Sequence, residues 1–277
     1  MRIPGTPRPV ELAPGIWRIP LTPGSAVNCF ALRDPDGSVT LVDAGLQITS
    51  STVVAGLRTL GIRPAQVTRL VLTHAHADHI GGAARLLEQM PATASIHERD
   101  VGYARTGEMP RPDMSTRLGR LADRLPFGGF EPLADVSTFR HGVTLAVAGG
   151  LAVYHTPGHT PGHVSLLAVR HGVLLTGDAL FNLRDISWPV RALCTDHDLN
   201  RRSADILGDL DYDVAAFTHG PEIRVNARET VRAFLRGRAR GRTRGGSRTG
   251  STGSRGGSHT DRPASGGSEP RHPGRTR

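Results

Sequence analysis

The densest chemistry in the 277-residue chain lies in Thr73-His74-Ala75-His76-Ala77-Asp78-His79-Ile80-Gly81-Gly82. Side chains two positions apart on an extended segment point the same way, so His74 and His76 can share one cation, and the small Ala75 and Ala77 leave space around it. Asp78 and His79 follow on a loop that can swing them to the same place. Gly81 and Gly82 permit a tight passage into a following helix. Three imidazoles and a carboxylate suit a borderline divalent ion such as zinc, and iron or manganese less selectively.

More donors stand further along. His155-Thr156-Pro157-Gly158-His159-Thr160-Pro161-Gly162-His163 is a Pro- and Gly-rich loop between two β-like runs, of the kind that presents an imidazole rigidly. Thr176-Gly177-Asp178 ends a strand-like run with a carboxylate suited to bridging two cations, and Thr218-His219-Gly220-Pro221 ends another. Donors placed at strand ends can converge on one edge of a sheet.

The elements that must position these groups alternate short β-branched runs with longer amphipathic ones, the pattern of an α/β domain. Residues 16–21, 28–32 and 38–42 read as a three-stranded meander, with Asp34-Pro35-Asp36-Gly37 as one of its turns. The spacing predicts a helix over 50–60, a buried strand over 67–72 that runs straight into Thr73-His74, a helix over 82–89 and a strand over 94–97. Residues 99–132 mix Arg99, Arg105, Arg111, Arg117, Arg120 and Arg124 with acids and prolines, carry one convincing helix near 115–124, and read as a lid or insertion. Strands follow at 144–147, 151–154, 164–169 and 173–175, the last two joined as a hairpin by His171-Gly172. Helices over 201–207 and 227–235 flank a strand at 214–218.

Charge is unevenly placed. All 34 basic residues are Arg, which excludes a lysine nucleophile or Schiff base. Residues 236–277 hold 11 Arg against Asp261 and Glu269, which accounts for the whole formal charge of +9 and leaves the first 235 residues balanced. This segment is Gly, Ser, Thr and Arg with almost no apolar residue, so the expectation is a disordered tail over 236–277 attached to one domain over 1–235. Such a tail suits nonspecific, salt-dependent contact with anions or nucleic acid. Cys29 and Cys194 cannot make a disulfide framework, and neither a signal-like apolar stretch nor a membrane-length apolar window is visible. The expected setting is therefore cytoplasmic, with no membrane partner.

Taken together, H-x-H-x-D-H-x-G-G, T-P-G-H-T-P-G-H, G-D-A-L-F and T-H-G, in this order, resemble the metallo-β-lactamase superfamily (MBL-fold metallo-hydrolases) over about residues 16–235. The resemblance implies an α/β fold, a four-layer αββα sandwich of two mixed β-sheets, with metals in a cleft at one edge. It implies that His74, His76 and His159 hold a first metal, that Asp78, His79 and His219 hold a second, and that Asp178 bridges them. Asp43, in Val42-Asp43-Ala44-Gly45, matches the family's V-D-x-G turn and is expected to orient a ligand histidine. His155 and His163 are expected to be structural, with His163 lying behind the ligands; His97 and His197 read as core or loop residues.

The implied cofactors are two divalent ions, zinc first and iron as the alternative. Such a pair brings the pKa of a bridging water toward about 7, and the resulting hydroxide attacks a carbonyl carbon while one metal stabilises the oxyanion. Asp78 is the candidate catalytic group for steering that water or carrying a proton to the leaving group. The expected reaction is hydrolysis of an ester, thioester or lactone bond in a small-molecule substrate. Enzymes resembling glyoxalase II, the largest subclass of zinc β-lactamases and the flavodiiron proteins fit less well, for want respectively of a helical C-terminal domain, of a Cys at position 178 and of a Glu at position 77. Two alternatives stay open: a mononuclear iron oxygenase resembling the persulfide dioxygenases, and a nucleic-acid-processing member.

Overall fold

A computed structural model describes residues 8–122, 124 and 129–243. Among them, seven strands pair in sequential order in one sheet: β1 (Val10–Ala13), β2 (Ile16–Pro20), β3 (Asn28–Arg33), β4 (Val39–Val42), β5 (Val67–Val71), β6 (Thr93–His97) and β7 (Val136–Phe139). The first four form an antiparallel meander because only short turns join them. From β4 onward the strands run parallel, since each connection is a crossover. The crossovers carry α1 (Ser50–Thr59), then α2 (Ala77–Ile80) with α3 (Ala83–Leu87), then α4 (Val101–Thr106) with α5 (Arg117–Ala122).

The second sheet holds β8 (Thr144–Leu145), β9 (Leu151–His155), β10 (Val164–Ala168), β11 (Val173–Leu175) and β12 (Val214–Ala216), in the order β12-β11-β10-β9-β8. β8 to β11 are antiparallel, and β12 joins parallel to β11 after α6 (His197–Ser203). The chain's last described element is α7 (Ala227–Thr243).

Period-two alternation divides the apolar residues among three layers of core. In β3, Phe30 and Leu32 face the second sheet, where they meet Val153, Val164, Leu166 and Leu175. Cys29 and Ala31, on the other face, join Val53 and Leu57 of α1 and Leu86 of α3. In β10 and β11, Leu167 and Leu174 turn outward to Leu207 and to Val231 and Leu235 of α7. Helix, sheet, sheet and helix are thus stacked in four layers, and both sheets are mixed, as expected.

The structure differs from the sequence reading in four places. β1 carries a bulge and β7 alternates buried ends with an exposed Ser-Thr centre, so neither edge strand shows a strong apolar signature. The 201–207 helix is set earlier, as α6 capped by Asp196, and continues as a 3-10 turn over Ala204–Gly208. The start of the 99–132 segment is core: α4 lies on the first sheet, with Ala104 fully buried among the apolar residues. Further along, Asp113 N–H donates to the carbonyl of Cys194 at 2.8 Å. Finally, α7 does not stop near Leu235 but continues to Thr243. Residues 244–277 of the expected tail, and 123 and 125–128 of the expected lid, lie outside the described residues. No described helix is long and apolar enough to cross a membrane.

Candidate metal centre

β4, β5, β9, β11 and β12 all end at one edge of the sandwich, and each is followed by a loop that carries a donor or its support. Two backbone bonds pin the sheets together there, Val164 N–H to Thr73 O at 3.0 Å and Asn28 N–H to Thr218 O at 2.8 Å. The carboxyl edge of strands is where open α/β sheets bind ligands, because side chains of several loops converge there while the backbone stays paired.

All seven expected metal-binding residues meet at this edge. Potential ligand atoms of His74, His76 and His159 form one group, those of Asp78, His79 and His219 a second, and those of His74, His79 and Asp178 a third, with the atoms of each group within 4.8 Å of one another. Asp178 stands between the first two. Its Oδ2 lies 3.0 Å from His159 Nε2 and 3.2 Å from His219 Nε2, and its Oδ1 lies 3.3 Å from His79 Nε2. His76 Nδ1 and His159 Nε2 are 2.9 Å apart.

Most of these side chains are held from behind. Asp43, fully buried and in the left-handed region at φ 63°, accepts from Thr73 N–H at 2.8 Å through Oδ1 and stands 2.9 Å from His79 Nδ1 through Oδ2. Thr73 Oγ1 lies 3.0 Å from His74 Nδ1, and the Ala26 carbonyl lies 2.5 Å from His219 Nδ1. Cys194 Sγ is 3.5 Å from His159 Nδ1. Asp178 receives a hydrogen bond from Thr218 Oγ1 at 2.6 Å on its side chain, and its own N–H donates to His163 Nε2 at 2.7 Å. Each imidazole partner leaves the opposite ring nitrogen directed at the centre, the arrangement by which a second layer fixes a metal ligand's tautomer.

The fit to a cation is specific. Nε2 of His74 and of His79 are buried and have no hydrogen-bond partner, an expensive condition unless a ligand meets them. Burial, followed by the charge of neighbouring imidazoles, holds His74 and His76 well below the usual histidine range, in the neutral form that binds metals. Burial also acts to lower His79, but Asp178, Asp78 and Asp43 outweigh it and hold that ring well above its usual value. For Asp178, burial is outweighed by His219, His79 and His159, which hold the carboxyl well below the carboxylate range. Closely packed imidazoles and carboxylates are a donor set for divalent ions with mixed N and O preference. The centre opens to solvent at His76, Ala77 and Asp78, while His74, His79, His159 and Asp178 are buried.

Among the described residues, His97, His155 and His197 stay out of the cluster. His97 and His155 stack at 4.2 Å with rings 10° from parallel, and His155 Nε2 donates to Pro161 O. His197 is the first residue of α6. Sequence reasoning missed several supports. Asn28 donates to the carbonyls of Phe217 and Gly220 on both sides of His219, and is itself held by Arg18, which pairs with Glu222 at 2.8 Å. Asp100 and Cys194 were also passed over. All are single polar residues paired across long sequence separations, so no local spacing marks them.

The fold and the site together define a metal-dependent hydrolase scaffold, and comparison with known proteins agrees. The family model of the metallo-beta-lactamase superfamily matches residues 22–219, so the chain belongs to that superfamily and is an MBL-fold metallo-hydrolase. It is 32% identical over 223 residues to the uncharacterized protein YobT of Bacillus subtilis, covering 76% of this chain and 90% of that one. It is 29% identical over 205 residues to the probable metallo-hydrolase YybB of the same organism, covering 72% of this chain and 83% of YybB. Among solved structures, the Rm3 metallo-beta-lactamase superposes with a TM-score of 0.66 at 20% identity, covering 86% of this chain and 94% of its own; this likeness is one of fold.

Proposed function

We propose that this chain is a two-zinc hydrolase acting on an ester, thioester or lactone bond of a small molecule, in a reducing cytoplasm. The observation that carries the reading is the pair of complete triads, His74/His76/His159 and Asp78/His79/His219, with Asp178 in reach of both. The identity of the metal separates this reading from a single-iron oxygenase. Cys29 and Cys194, buried and unpaired, accord with a reducing setting.

Bound in these triads, a metal pair supplies Lewis acidity toward a carbonyl and lowers the pKa of water toward about 7. The chain's residues supply position. Asp43, Thr73 and Ala26 O hold His79, His74 and His219 by their Nδ1 sides, leaving each Nε2 free for the centre. Substrate reaches the centre past His76, Ala77 and Asp78, the partly exposed side. Asp78, whose side chain keeps 33% of its exposure and whose Oδ2 lies 3.4 Å from His219 Nε2, is placed to carry a proton to a leaving group entering there.

The test is the metal content per chain of protein purified without added metal, followed by a screen of ester, thioester and lactone substrates. About two zinc ions with turnover in that screen supports the reading. One iron and no zinc replaces it with a persulfide-directed oxygenase, and failure to retain or take up any transition metal overturns it.

A further inference from the structure

α4 begins with an acidic residue that does not serve its own helix. Asp100 occupies the N-cap position, where an Asp side chain ordinarily accepts from the first turn, yet it makes no such bond. The carboxylate is fully buried and turned the other way. Oδ2 accepts from Ala75 N–H at 3.1 Å and from Thr160 Oγ1 at 2.6 Å, and Oδ1 accepts from Gly162 N–H at 2.6 Å. Among the described residues no basic side chain pairs with it.

The three donors come from the two loops that build one half of the centre. Ala75 stands between His74 and His76, and Thr160 follows His159 directly. The approach is close enough to dictate the third residue: a Cβ on Gly162 would lie 2.7 Å from Asp100 Cγ and 2.6 Å from Asp100 N. His79, by contrast, is held by Asp43, and His219 by Ala26 O, neither of which touches Asp100.

We infer that Asp100 is a positioning residue that clasps the His74–His76 loop to the His159 loop and thereby sets the geometry of the first metal triad, with little bearing on the second. The inference rests on the two-triad reading of the site. A buried carboxylate with three donors is rigid, and it joins loops that are 83 residues apart between His76 and His159. Removing one oxygen by Asp100→Asn places an amide N–H against a donor whichever way the group turns. Thr160→Val keeps the side chain's shape and deletes one hydroxyl donor.

The experiment uses cobalt(II) as the probe and follows its d–d absorption on titration into the metal-free full chain. Each clasp variant is made in two backgrounds, His219→Ala, which spoils the second triad, and His76→Ala, which spoils the first. Outer-layer substitutions typically cost about 10–100-fold in metal affinity. In the His219→Ala background, Asp100→Asn is expected to weaken cobalt binding by about that factor and to change the band shape, with a smaller effect of the same sign for Thr160→Val. In the His76→Ala background both are expected to stay within about twofold of their parent. A merely structural role would lower the melting temperature and weaken both triads alike, and that result overturns the clasp, as does unchanged affinity in both backgrounds. If Asp100→Asn does not fold, Thr160→Val alone decides by the same criterion. Failure of the parent chain to bind cobalt overturns the two-triad reading itself, a result distinct from loss of the clasp alone.

Discussion

The imidazole of His163 accepts the backbone N–H of Asp178 at 2.7 Å, and its Nδ1 lies 2.9 Å from the carbonyl of Thr156. Because Asp178 N can only donate, Nε2 of His163 must be the unprotonated nitrogen and Nδ1 the donor. The ring is thus a fixed strut between the 155–163 loop and the turn that carries the central carboxylate. Burial, with the charge of His159 next, pushes its pKa down to about 3, so the ring stays in this tautomer throughout the neutral range.

Replacing this strut should be felt at the metals. His163→Phe fills similar space but leaves the buried Asp178 amide unpaired, at a cost of about 1–3 kcal/mol in stability. Metal affinity should fall by about 10–100-fold. Chemical denaturation of the metal-free protein and competition with a chelator measure the two effects separately; unchanged affinity would show that Asp178 keeps its place without the ring.

His76→Ala and Asp178→Ala remove donors from the centre itself. Loss of a cation that contributes several kcal/mol of transition-state stabilisation lowers kcat/KM by about 10³-fold or more. Metal content and turnover should fall together in both variants, as measured by mass spectrometry of the metals and by the hydrolysis assay on one sample. Full activity in either would remove that residue from the centre.

Chelation should destabilise the folded chain, since the triads bring buried imidazoles and carboxylates together with two Nε2 atoms unpartnered. A ligand present at about 1,000 times its Kd adds about 4 kcal/mol to the folded state. The melting temperature is therefore expected to drop on treatment with a chelator and to recover on adding zinc. An unmoved melting temperature would mean that the cluster holds no ion in solution.

The stacked pair His97 and His155 predicts a pH effect away from the metals. Burial, and next the facing charge of His155, brings His97 down to about 4 from the usual 6.5. The unfolded chain then binds a proton between these values that the folded chain refuses, so the contribution is fully present above pH 6.5 and is lost as pH falls toward 4. In His97→Gln, the slope of unfolding free energy against pH over this window should be shallower than in the parent. Parallel profiles from denaturation at several pH values would exclude His97 as a source of the slope.

Much of the site was legible because its chemistry is written in short words. H-x-H-x-D-H places four donors within six residues, and T-P-G-H, G-D and T-H-G each sit at the end of an apolar run, so strand-end placement follows from the hydrophobic pattern alone. The same pattern, with its period of two, announced three of the four meander strands and the β10–β11 hairpin. Weak edge strands such as β7 were not legible, since an exposed Ser-Thr pair between two buried residues looks like loop. Nor was the packed start of the 99–132 segment, because Asp100 and Arg99 read as surface residues in a charged segment.

What the sequence determined by itself is therefore the list of donors and the layers that must carry them, since both depend on residue type and near-neighbour spacing. Tertiary structure decided which donor each supporting group serves, Asp43 included, and it alone brought in Asp100 and the Ala26 carbonyl. Asp43 reaches His79 from 36 positions away, Asp100 spans to Gly162 across 62, and Ala26 meets His219 across 193. Such pairs form only once the fold gathers distant loops at one edge, along a single sheet for Asp43 and between the two sheets for Asp100 and Ala26, and a hydrogen bond between distant loops leaves no periodic trace in the chain that makes it.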